Sequence, residues 1–92
     1  MIVSFRHKGL KRFYEEDDRA KLPQDMVERI RSILSVLAHA QDLVSVDRPT
    51  LRLHSLKSDM KGSHAVTVRA NWRIVFRLDD KGVHDVDLVD YH

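Results

Sequence analysis

The sequence predicts an α+β protein in which an N-terminal strand and two helices pack on one face of a mostly antiparallel sheet. Two observations carry that expectation. Apolar residues of the first half recur at steps of three and four, and those that follow Asp47-Arg48-Pro49 recur at every second position. A third observation bounds it: 92 residues, 42% of them hydrophobic, supply one core and no second one, so residues 1–92 are expected to form a single domain.

Residues 2–5 are apolar and partly β-branched, which suits a first strand. Residues 8–17 place Leu10, Phe13 and Tyr14 at helical spacing, although the acids of the last turn oppose the helix dipole. A longer helix is expected over 23–40. Pro23 sits where a first turn tolerates it, and Val27, Ile30, Leu34 and Leu37 form one stripe. Beyond residue 50 the alternation is that of strands. Leu51-Arg52-Leu53-His54 and Val66-Thr67-Val68-Arg69 alternate apolar with polar, and Trp72, Ile74, Phe76 and Leu78 share one side of a third run. Asp79-Asp80-Lys81-Gly82 reads as a turn, after which Val86 and Leu88 alternate with Asp87, Val89 and Tyr91, so two consecutive hairpins are expected.

The formal charge is only +2, but it is unevenly distributed. Between Arg48 and Arg77 the basic residues are Arg48, Arg52, Lys57, Lys61, Arg69, Arg73 and Arg77, against Asp59 alone. If the apolar set faces the helices, period-two alternation gathers Arg52, His54, Thr67, Arg69, Arg73, Arg77 and Tyr91 on the other sheet face. Such a surface suits a polyanion. Several chemistries are disfavoured. There is no cysteine, no His-Glu-x-x-His pair, no Gly-x-Ser-x-Gly elbow, and only three glycines for a phosphate loop, so neither a metal nor another cofactor is expected. No apolar run approaches the ~18 residues of a membrane span, which predicts a cytoplasmic protein with no membrane partner.

Three short clusters carry the remaining signal: Leu53-His54-Ser55-Leu56-Lys57, Ala70-Asn71-Trp72-Arg73-Ile74 and Asp90-Tyr91-His92. In this order, and with Ser4-Phe5 before His7-Lys8-Gly9-Leu10, they resemble the HigB branch of the RelE superfamily of bacterial toxins over essentially the whole chain. Members more typically read His-Pro-Leu-Lys-Gly where this chain has His54-Ser55-Leu56-Lys57-Ser58, a change that loosens the turn after His54. The resemblance implies a ribosome-dependent messenger RNA endonuclease that arrests translation in the A site. It also implies a HigA-like helix-turn-helix antitoxin as partner.

Metal-free RNA cleavage by the 2′-hydroxyl needs a base, an acid and a cation for the phosphorane. His54 suits the base and Arg73 the cation. His92 or Tyr91 would protonate the leaving oxygen, with Asp90 orienting one of the proton carriers. Lys57, Lys61, Arg69 and Arg77 would contact the RNA backbone. The competing expectation is a non-catalytic toxin or regulator that binds gyrase or RNA through the same basic face, which would have no need to combine His54, Tyr91 and His92.

Overall fold

The computed structural model describes residues 1–56 and 62–91. Lys57, Lys61 and His92 lie outside the described residues. Helix α1 spans Lys8–Glu16 and buries Leu10 and Phe13. Its N-cap is His7, whose Nδ1 accepts from the Leu10 amide at 3.1 Å and so satisfies one of the open donors of the first turn. The helix stops where Asp17 turns left-handed at φ 56° and returns its N–H to Phe13. Past its end, Asp17 meets Arg31 of the next helix at 3.1 Å and Asp18 meets Arg12 at 3.6 Å.

The helix expected over 23–40 divides. A 3-10 turn at Gln24–Met26 follows Pro23, and helix α2 then runs Val27–His39. It buries Val27, Ile30, Ile33, Leu34 and Leu37, a stripe at helical spacing whose complete burial contributes about 1.5–3 kcal/mol per large aliphatic side chain. A short helix α3, Leu43–Val46, was not legible in the hydrophobic pattern; Asp42 caps it by accepting from the Ser45 amide at 3.0 Å.

The sheet is formed by β1 (His54–Ser55), β2 (Ser63–Arg69), β3 (Trp72–Asp79) and β4 (Gly82–Asp90), in that order and antiparallel throughout. Strand β1 is shorter than the alternation of 51–54 predicts. Leu51 and Arg52 both turn back to the Arg48 carbonyl, and Arg52 adopts φ 52°. The expected first strand is a pair of parallel bridges beside β4, Ile2 to Val83 and Phe5 to Val86. Four backbone hydrogen bonds of 2.7–3.1 Å join these segments, so the β4 edge is covered. Gly82, at φ 134°, permits the contact, because a Cβ there would lie 2.5 Å from the Met1 carbonyl oxygen.

One sheet face packs on the helices. Val66, Val68, Ile74, Phe76, Val83, Val86 and Leu88 join Leu10, Phe13 and the α2 stripe in a single buried cluster, against which Trp72 and Leu78 also pack. Two register irregularities interrupt the ladder, one between Thr67 and Arg69 and one opposite Val75 and Arg77, where Asp85 is left-handed at φ 56°.

Candidate active site on the open sheet face

Strand pairing fixes the face turned away from the helices. His54, Ala65, Val75 and Asp87 stand opposite one another across all four strands. Thr67, Arg73 and Val89 form the next row, and alternation continues from Val89 to Tyr91, whose amide donates to the Asn71 carbonyl at 2.8 Å. His54 and Arg73 are thus two strands and one row apart, roughly 12 Å between Cα atoms on ordinary sheet spacings. Two long side chains at that separation can reach a phosphodiester from opposite sides.

His54 is exposed, and its Nδ1 lies 3.1 Å from the Arg52 carbonyl oxygen. A carbonyl only accepts, so in the neutral ring Nδ1 carries the proton and Nε2 keeps its lone pair for an incoming hydroxyl. The left-handed turn at Arg52 is what aims that carbonyl back at the ring two residues on. Arg73 folds over the β2–β3 turn. One terminal nitrogen donates to the Ala70 carbonyl at 2.6 Å and the Trp72 carbonyl at 3.1 Å, while its Nε is buried with no hydrogen-bond partner among the described residues. A guanidinium donor withdrawn from water and left unmatched among the described residues is uncommon in folded proteins.

Other members of the expected face lie elsewhere. The irregularity after Thr67 carries Arg69 opposite Trp72, on the helix side, where its guanidinium pairs with Asp25. Asp90 faces Trp72 from the other flank, so Arg69, Trp72 and Asp90 form one row on that side. Arg52 lies in the turn before β1 and not on a strand. Arg77 keeps the open face, but Asp85 receives it at 2.9 Å through both Nε and a terminal nitrogen. That guanidinium, ahead of the opposing cost of burial, holds the Asp85 carboxyl below the usual carboxylate range. Of the arginines expected on this face, Arg69 and Arg77 are thus each matched by a carboxylate.

A family described as the RelE-like toxin of type II toxin-antitoxin system HigB matches residues 3–92. The chain belongs to the HigB-like toxin family. Endoribonuclease HigB of Proteus vulgaris is 38% identical to it over 92 residues, all of both chains. Two solved structures share the fold. The YoeB-YefM complex from Staphylococcus aureus superposes with a TM-score of 0.63 at 19% identity, covering 100% of this chain and 95% of that one. The YoeB/ParE toxin from Agrobacterium tumefaciens gives 0.62 at 19%, covering 99% and 96%. Membership of a type II toxin-antitoxin family makes an antitoxin the partner of this HigB-like chain.

The HigB-like site rests on a residue that the sequence did not single out. Arg29 of α2 donates to three carbonyls: Thr50 at 2.6 Å, Thr67 at 2.9 Å and Val68 at 3.3 Å. It fastens the segment leading to His54 onto the irregular part of β2, and Leu51 reinforces the join by accepting from the Thr67 amide at 2.8 Å. In the sequence Arg29 is one more polar position of an amphipathic helix, so nothing in the period marks it.

Proposed function

We propose that this chain is an endoribonuclease toxin that cuts messenger RNA in the A site of the 70S ribosome and so stops translation in the cytoplasm. A HigA-like helix-turn-helix antitoxin holds it in check. The endonuclease activity follows from the full-length likeness to Endoribonuclease HigB. The observation that carries the mechanism is the pairing, on one open face, of an imidazole with its Nε2 lone pair available and an arginine whose Nε lacks a partner among the described residues.

In this mechanism His54 Nε2 takes the proton of the 2′-hydroxyl, whose oxygen attacks the adjacent phosphorus. Arg73 turns from the carbonyls of Ala70 and Trp72 to the phosphorane oxygens, where its planar donors stabilise the added charge. The 5′-oxygen leaves with a proton from His92 or Tyr91, and Asp90 orients the proton carriers. A 2′,3′-cyclic phosphate and a free 5′-hydroxyl result. Lys57, Lys61 and Arg77 contact the backbone of the bound RNA, whereas Arg69, paired with Asp25 on the helix side, does not.

Mapping of messenger ends in a purified translation system, with and without ribosomes, tests the proposal. Cleavage with ribosomes alone, lost in His54→Ala and Arg73→Ala, is the expected result. Arrest without new RNA ends, or inhibition of gyrase at intact messenger, overturns it.

A further inference from the structure

A groove of about 630 Å³ opens at the far edge of the sheet, between the entry to α1 and strand β4. Its walls are Arg6, His7, Lys8, Arg12, Lys21 and Asp87, with Gly9 beneath. Four side chains are cationic and one is a carboxylate, a local excess of three positive charges (4 − 1). Asp18 lies 3.6 Å from Arg12, and Arg6 is near enough to Asp85 to help hold that carboxyl ionised, yet Asp85 is already bonded to Arg77. The first turn of α1 contains no acid to offset the rest. Gly9 makes the groove possible: a Cβ there would stand 2.7 Å from the Lys21 Cβ and 2.9 Å from the His7 ring, so only glycine lets the Lys21 segment close against the helix entry.

Two properties identify the occupant. No lining residue is an aliphatic or an aromatic hydrocarbon, and the heads of Arg6, Lys8, Arg12 and Lys21 supply charged donors of the kind that bind phosphate. The groove is also continuous with the open face, because Asp87 belongs both to its wall and to the row that begins at His54. Three strand spacings, roughly 14 Å, separate His54 from that wall. We infer that this groove binds the phosphate backbone of the messenger strand flanking the cut, so that the RNA crosses the sheet from His54 to the α1 entry. The inference rests on the endoribonuclease reading above.

The test uses Arg6→Gln/Lys8→Gln/Lys21→Gln, with Lys21→Glu as a second variant should the triple one fold poorly. Binding of a 2′-O-methyl 12-nucleotide single strand is measured by fluorescence anisotropy across a potassium chloride series, beside single-turnover cleavage on saturating programmed ribosomes. Loss of three phosphate contacts should flatten the logarithmic salt slope by about 2, at roughly 0.7 per contact for a single strand. The cleavage rate from the bound state should stay within twofold. An unchanged slope while wild-type protein cuts messenger overturns the groove and leaves the enzyme reading intact; absence of cutting by wild-type protein overturns that reading itself. Equal loss of affinity for ribosomes without messenger assigns the groove to ribosomal RNA, and normal RNA binding with weakened antitoxin binding assigns it to a protein. Either result overturns the inference.

Discussion

His54 and His64 sit one row apart on facing strands, and their surroundings give them opposite tasks. His54 is exposed and its ring is oriented by the Arg52 carbonyl. His64 pairs with Ser55 on the helix side, its Nδ1 3.0 Å from the Ser55 hydroxyl and its ring 5.8 Å from that of Phe76. His54→Ala should leave the thermal midpoint nearly unchanged while single-turnover cleavage falls by ~10² to 10⁴, the usual loss when a general base is removed. Burial lowers the His64 pKa, so protonation is easier in the unfolded chain than in the native one. Stability tied to His64 is then complete above the ordinary imidazole value and declines as pH falls through it toward the lower native value. Urea midpoints measured between pH 7.5 and 5 should drop with acid in the wild type and drop less in His64→Gln. The oxygen of glutamine can take the Ser55 hydrogen bond without gaining charge. Equal slopes in the two proteins would show that His64 is not the group responsible.

At the scale of elements, α2 is both core and clamp. Leu34→Ala should cost about 2–5 kcal/mol by opening a cavity beneath the sheet, with cleavage by the remaining folded protein unaffected. Arg29→Ala should combine a smaller stability loss, about 2 kcal/mol, with a fall in cleavage rate at saturating substrate, because three carbonyls lose a charged donor where β1 meets β2. Arg29→Lys, which can serve fewer of those carbonyls, should fall between; a variant that loses stability and keeps its rate would limit Arg29 to scaffolding. The α2 stripe and the alternation of β3 were legible because each repeats over several turns or pairs. Register was not. A single extra residue after Thr67 sends Arg69 to the helix side, and the left-handed Asp85 does the same work in β4, yet neither position carries a glycine that would announce it. His54, Arg73 and Tyr91 were placed together by parity, whereas Arg69 was assigned to the wrong side by the same rule and Arg52 lies in a turn rather than on a strand. The α1 groove stayed hidden because only the fold brings Lys21 and the Asp87 wall beside Arg6, Lys8 and Arg12.

Over the whole molecule, two carboxylates tune behaviour in acid. Asp79 is held low chiefly by its hydrogen bond to His84, and Asp85 chiefly by Arg77. Each favours the native state above the ordinary carboxylate pKa, and that contribution disappears as pH falls through the lower native value. Asp85→Asn should therefore flatten the acid limb of the unfolding curve, followed by circular dichroism from pH 5 to 2, relative to wild type. Expression without a partner should halt growth, and coexpression of the adjoining helix-turn-helix protein should restore it; sustained growth with soluble toxin present would contradict the toxin assignment. The seal between residues 1–6 and β4 bears on the order of folding. Val3 hydrogen-bonds Val83, so its segment waits for a partner eighty residues later, roughly 4 to 16 seconds at 5–20 residues per second. Until then the Arg6 and Lys8 wall of the groove has no sheet to stand beside, and Asp90 and Tyr91 are still to be added. Because residues 3 and 6 are tied to β4, the wall that Arg6 and Lys8 give the groove is a late product of folding, formed only once β4 is in place.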